Sequence, residues 1–197
     1  MYYVLKPILA TWKSESIHAK IKDAPPRCKP HWWDAAPLAI PLPLLTFKVN
    51  SEWRLPDNLF TGTIFDLYSI KFIEVLRNAG VHFETFPAIV TDQFGNDTKV
   101  KYRIFHLLEK YPCLDQSRSE IDNEALEIRK LVLDKKFMAL RKLMFRLEEL
   151  SQFVLVHQDL KDVLEKTGIT GCSYTPLDKY RAGPYFHFDH NQKDKPN

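Results

Sequence analysis

The sequence predicts an α+β fold: a mostly antiparallel sheet covered by two amphipathic helices, with an extended, proline-rich amino-terminal segment. Three observations carry that reading. The chain writes one pattern twice, "VLRNAGVHFETFP" from Val75 to Pro87 and "VLEKTGITGCSYTP" from Val163 to Pro176. The run Lys99-Val100-Lys101-Tyr102-Arg103-Ile104 alternates polar with apolar residues. Seven prolines, Pro25, Pro26, Pro30, Pro37, Pro41, Pro43 and Pro56, fall between residues 20 and 60.

Taken in order, "MYYVL" reads as a short strand. The proline stretch then fixes φ at each proline and disfavours helix at the residue before it, so this segment is extended and irregular. It carries Trp32, Trp33, Phe47, Val49 and Trp53. Apolar surface of that size packs down, which makes residues 1–60 an arm lying on the domain.

In the first copy of the repeat, Phe72, Val75, Leu76 and Ala79 stand at i, i+3, i+4 and i+7, one face of a helix, and Tyr68 extends that face back by a turn. Gly80 is placed to end the helix in a left-handed conformation. In the second copy Leu160, Val163, Leu164 and Thr167 hold the same offsets, and Gly168 follows as Gly80 does. Asp159 is the candidate N-cap, and Asp162 with Lys166 makes an i, i+4 pair. The predicted helices run from Tyr68 to Ala79 and from Asp159 to Thr167. After each glycine come short β-branched and aromatic runs, which suit returning strands. Thirteen residues leave open whether this is a duplication or one unit used twice.

Between the copies, "DQFGND" is a turn around Gly95. The alternating run after it pairs with residues 82–91 as an antiparallel hairpin with one wet face. "LEIRKLVLD" and "FVLV" read as further strands, and "KFMALRKLMFRLEEL" as a short helix running into a strand. Residues 1–190 then form a single domain with its core in 61–180, and residues 191–197 form a disordered tail.

Composition bounds the function. A chain of 197 residues suits one domain and buries about 70% of its unfolded surface. Charged residues make up 27% and the net charge is +3, so no strong single-sign field is present. Three widely spaced cysteines, Cys28, Cys113 and Cys172, argue for a reducing compartment over a disulfide framework. The start lacks a secretory pattern, and the apolar run from Ala36 to Leu45 has half the length needed to span a bilayer. The expectation is a soluble, cytoplasmic protein with no membrane partner; a homo-oligomer is left open.

No glycine-rich phosphate loop, nucleophile elbow or helical HExxH is written in the chain, so no catalytic residue and no cofactor is assigned from motifs. Two alternatives have residues behind them. Cys28 and His31 in "CKPH", with His187, Asp189 and His190 in "HFDH", have the softness for zinc, which would make the chain a metal-dependent enzyme. A CxxH pair arises readily by chance, and "HFDH" alternates like an edge strand, so no metal is expected. Residues 1–30 carry six basic side chains against two acidic ones, which raises a nucleic-acid-binding module, but no recognised motif accompanies them. Cys113 and Cys172 adjoin apolar residues and read as small buried hydrophobes.

"HWWD" is the candidate partner-binding segment. Two adjacent tryptophans in an extended chain point to opposite sides, so one can enter the core while the other faces out; the alternative is that the proline-rich loop covers both rings. Trp32, Trp33 and Asp34 combine aromatic area with charge, the composition of an interface anchor.

The order of the carboxyl-terminal two-thirds resembles the immunity-protein-eleven family of bacterial polymorphic toxin systems. The resemblance runs over roughly residues 60–178. It rests on "CLD" from Cys113 to Asp115, "LVLD" from Leu131 to Asp134 and "LKDVLEKTGITG" from Leu160 to Gly171, with "SEWRLPDNLF" from Ser51 to Phe60 standing for the family's Trp-containing segment. It implies a cytosolic antidote that binds a cognate toxin protein, of the kind delivered by contact-dependent or type VI secretion, and blocks it stoichiometrically. The binding residues of such proteins vary with the toxin, so the resemblance implies none here. The near-neutral charge argues against a strongly basic target.

Overall fold

Strand dominates, as the alternation in the sequence requires, and three helices interrupt it. The computed structural model describes residues 1–8, 11–12, 15–22, 32–39, 42–51, 54–122 and 127–182. The amino-terminal third holds β1 (Tyr2–Pro7), β2 (Thr11–Trp12), β3 (Glu15–Ser16), β4 (Ala19–Ile21), β5 (Leu45–Val49) and β6 (Asn58–Leu59). The middle holds β7 (Asp66–Ser69), α1 (Ile70–Asn78), β8 (Phe83–Thr91), β9 (Tyr102–Leu107), β10 (Lys110–Tyr111), β11 (Glu120–Asp122) and β12 (Glu127–Lys130). The remainder holds α2 (Lys135–Ala139), β13 (Met144–Leu147), β14 (Val154–His157), α3 (Gln158–Lys166) and β15 (Cys172–Pro176).

Two main sheets result. The first has the order β4-β5-β8-β9-β7-β6, the second β10-β13-β14-β1-β15. The expected pairing, mostly antiparallel, holds, but the expectation of a single sheet is corrected here. There are two main sheets and both are mixed, because β5 runs parallel to β8 and β10 parallel to β13. These pairs join strands far apart in sequence, so no hairpin signal announces them. Among the described residues no helix is long and apolar enough to cross a membrane.

The repeated pattern has one topology in both places. Strands β7 and β8 flank β9, each antiparallel to it, and α1 connects them. Strands β14 and β15 flank β1, each antiparallel to it, and α3 connects them. The register matches as well. Arg103 of β9 faces Tyr68 on one side and Pro87 on the other. Tyr3 of β1 faces Val156 and Pro176. Each proline is the last residue its strand pairs with the middle strand, which suits a residue without an N–H to offer. Beyond Pro87, β8 turns to β5, starting at Ala88.

Three apolar layers separate and cover the sheets. The middle layer lies between them and takes Phe72, Ile73 and Leu76 from α1, Leu160 and Leu164 from α3, and Tyr3, Leu5, Phe105 and Leu107 from the middle strands. The outer layer of the first sheet includes Trp32, Phe47, Phe65 and Ile104. That of the second includes Tyr2, Val4, Phe145 and Leu155. Strands buried on both faces read as nearly continuous apolar runs, which is why "YYVL" and "FVLV" lack a polar alternation.

Both helices start one residue after a strand, on a cap with extended backbone. Ser69 Oγ accepts from Phe72 N–H at 3.1 Å. His157 Nδ1 accepts from Asp159 N–H at 3.2 Å. Burial pushes the His157 imidazole pKa down, which keeps the ring neutral and that nitrogen free to accept. Four details depart from the sequence reading. Tyr68 belongs to β7, and His157 replaces Asp159 as the cap. The buried stripe of α1 takes Ile73 while Val75 is only part-buried, and Val163 of α3 is 43% exposed. The i, i+4 ion pair of α3 is Lys161–Glu165 at 2.6 Å, and Asp162 instead accepts from Gln158.

The units are stitched at the loop before β15. Asp57 Oδ2 accepts from the N–H and the hydroxyl of Thr170, at 2.9 and 3.0 Å, and Asn58 N–H donates to Thr170 O at 3.0 Å. Gly171, at φ +81°, lies so close to β6 that a Cβ there would stand 2.5 Å from Asn58 O. Four of the seven prolines (Pro25, Pro26, Pro30 and Pro41), together with Trp53 and residues 191–197, lie outside the described residues.

Candidate partner-binding site

The segment Trp32-Trp33-Asp34 is a 3-10 turn, where an extended chain was expected. Ala35 leaves it with a left-handed backbone, φ +53°. The difference matters because successive side chains of a 3-10 turn diverge by roughly 120° instead of opposing each other. One tryptophan goes in, the next lies along the surface, and the aspartate faces out.

Trp32 is fully buried. Its ring stacks on His106, with centroids 4.4 Å apart, and meets Phe65 edge-on at 5.0 Å. His106 Nδ1 is 2.9 Å from Glu84 Oε1, and the same oxygen accepts from Leu38 N–H at 3.0 Å. Glu84 thereby holds both the histidine under Trp32 and the chain leaving the turn. Trp32 cannot touch a partner in this conformation; of the three candidate residues, Trp33 and Asp34 remain at the surface.

Trp33 is part-buried and lies over the guanidinium of Arg146, 5.0 Å from ring centroid to Cζ. Arg146 is only 1% exposed. A buried cation needs compensation, and Arg146 donates to Asp66 Oδ2 and to Ser151 O, each at 3.3 Å. The aromatic face adds up to about 2 kcal/mol where water is excluded. Burial pushes the Asp66 carboxyl above the usual range, with the Arg146 charge pulling the other way. Asp34 is exposed, and its carboxylate stands 3.9 Å from Lys110 Nζ.

These contacts span both main sheets. Asp66, Glu84 and His106 belong to the first, Lys110 and Arg146 to the second. The turn acts as a clasp: Trp32 is driven into the outer core of the first sheet, while Trp33 and Asp34 rest on the rim of the second. What it presents outward is an indole edge beside a carboxylate, held by a scaffold fixed before any partner arrives. That arrangement suits recognition of a protein surface, since little side-chain entropy is lost on contact.

Sequence reasoning missed Arg146. In "LMFRL" the arginine alternates with Phe145 and Leu147 and reads as a wet position. It is buried because the second sheet has a core on each face, so a polar residue in β13 meets the other sheet and not solvent. His106, inside "RIFHLL", carried the signal of a polar residue within an apolar run.

The other candidates fall as follows. Burial, with Glu149 and Asp134 adding, pushes the Cys113 thiol up to about 12; burial pushes that of Cys172 up to about 11. Both stay protonated near neutral pH; Cys113 is buried, as expected, whereas Cys172 is only part-buried. Cys28, His31, His187, Asp189 and His190 lie outside the described residues. Among the described residues no group of three or more His, Cys, Asp or Glu side chains is arranged to hold a metal. Of the basic arm, Lys6 lies in the second sheet, 4.7 Å over the Tyr180 ring, and Lys20 lies in the first; Lys13, Arg27 and Lys29 are outside the described residues.

No family model matches the chain, and no curated protein matches it significantly.

Proposed function

We propose that the chain is a cytoplasmic immunity protein, which binds a cognate secreted bacterial toxin and neutralises it by forming a stoichiometric complex. The observation that carries this reading is the ledge of Trp33 and Asp34. An aromatic side chain and a carboxylate are held at the surface by a buried clasp that links both sheets. Aromatic residues set on a rigid support are the usual anchors of a protein interface. The resemblance of residues 60–178 to the immunity-protein-eleven family supplies the class of partner, a toxin of contact-dependent or type VI secretion systems.

The test is co-expression with the product of the adjacent gene. The reading expects that product alone to arrest growth, growth to resume when both are made, and the two chains to co-purify at a fixed ratio. Growth arrest that the chain does not relieve would overturn it.

A further inference from the structure

We propose that the turn joining α2 to β13 is a second part of the partner-contacting surface, an apolar tip flanked by cations that fits an acidic patch on a protein partner. This rests on the binding function proposed above.

The tip consists of Met138 and Leu140, 42% and 63% exposed. Its support is rigid. Phe137 beneath it packs edge-on against Phe145 at 4.9 Å and meets Tyr111 at 5.3 Å. Asp134 caps α2, accepting from the N–H groups of Lys136 and Phe137. Arg141 ends the turn at φ +51°, a left-handed backbone that costs a residue with a Cβ about 1–2 kcal/mol. Arg141 stands directly after the C-cap Leu140, where helices commonly close in a left-handed conformation, and so fixes the direction in which the chain leaves the tip.

Four cations surround the tip. Arg141 is paired with Asp159 at 2.6 Å, and Lys142 with Glu109 at 3.2 Å. Lys135 and Lys136 are exposed and have no ion pair among the described residues. The uncompensated charge beside the apolar tip is therefore positive, and its complement is acidic. The tip is also continuous with the ledge. Lys142 lies over the ring of Tyr111 in β10 and holds Glu109, and the next residue, Lys110, reaches Asp34.

The geometry favours a protein over an anionic bilayer. Asp34, Glu109 and Asp159 stand within the same strip, where a uniformly negative surface would meet them unfavourably. A protein surface can match alternating charges group by group.

The test uses two variants of the full chain, Lys135→Glu with Lys136→Glu, and Met138→Ser with Leu140→Ser, titrated against the purified product of the adjacent gene. Circular dichroism checks the fold; all four side chains are exposed. Each variant is expected to bind at least about tenfold more weakly than the wild type, as loss of an interface anchor does. Wild-type affinity is expected to fall with salt, and more steeply than that of the charge-reversal variant. Folded variants that bind as the wild type does would overturn the inference and leave the binding function standing. Wild-type binding to phosphatidylserine vesicles, lost in both variants, would replace the protein partner by a membrane. A wild type that does not bind the gene product at all would remove the function and this inference with it.

Discussion

Pro87 and Pro176 hold the same position in two different sheets. Pro87 faces Arg103 in β9, Pro176 faces Tyr3 in β1, and each closes the pairing of its strand with the middle strand. The match extends to the helices, whose caps Ser69 and His157 directly follow Tyr68 and Val156, the residues that face Arg103 and Tyr3 from the other side. The two units differ in where the middle strand comes from. In the first it follows the unit, and in the second it is the amino-terminal strand of the chain.

Because α1 and α3 share one core, their central leucines should matter equally. Leu76 and Leu164 are both fully buried. Leu76→Ala and Leu164→Ala are each expected to destabilise by roughly 2–5 kcal/mol in urea denaturation. A loss below about 1 kcal/mol at either, the range of exposed sites, would mean that its helix does not face the shared core.

Two glycines separate backbone strain from crowding. Gly80 has φ +79° with open space around it, whereas Gly171 has φ +81° with Asn58 O and Pro56 Cβ in the way of any Cβ. Gly80→Ala should cost only the left-handed strain, about 1–2 kcal/mol. Gly171→Ala should cost more than that, because β6 or the loop must shift, and it should loosen the Asp57–Thr170 stitch. Hydrogen exchange at Thr170 N–H reads the second effect. Equal costs at the two positions would show that the close approach contributes nothing.

The helix–glycine–strand units were legible because each signal is local: a 3.6-residue stripe, a glycine stop, a β-branched return. The antiparallel pairing of β8 with β9 was legible for the same reason, but β9 is Tyr102–Leu107, it pairs with β8 only over Phe83–Pro87, and it is buried on both faces where one wet face was expected. The mixed character of the sheets was not, since the pairing of β5 with β8 and of β10 with β13 brings together residues 43 and 36 apart, as in Leu45 with Ala88 and Lys110 with Arg146. At the site, Trp33 and Asp34 were legible from composition. That one tryptophan enters the core was legible too; that it is Trp32 was not, because the choice depends on a 3-10 turn that no proline or glycine at the turn itself announces. Arg146 was hidden for a third reason: alternation tells which residues share a face, and here both faces are covered.

One pH effect follows from the pair beside the α2–β13 turn. The Arg141 guanidinium bonded to Asp159 holds that carboxyl below the usual range. A depressed pKa in the folded state means stability that is present above the ordinary carboxylate range and is lost as pH falls through the folded value. Carboxyl NMR titration should give Asp159 a midpoint below that of an unperturbed aspartate, and Arg141→Gln should raise it. An Asp159 midpoint unmoved by that substitution would show that the pair does not persist in solution.

The binding function is tested most directly by calorimetric titration of the wild type and of Trp33→Ala with Asp34→Ala against the purified product of the adjacent gene. Trp32→Ala serves as the internal contrast, expected to lose about 3–5 kcal/mol of stability as a buried tryptophan should. The double variant is expected to stay folded, with a melt lowered by the lost contact of Trp33 with the buried Arg146, and to bind with a loss of roughly 2 kcal/mol or more. A folded double variant with unchanged affinity would place the interface away from the ledge, and a wild type that shows no heat of binding and no complex would contradict the function itself.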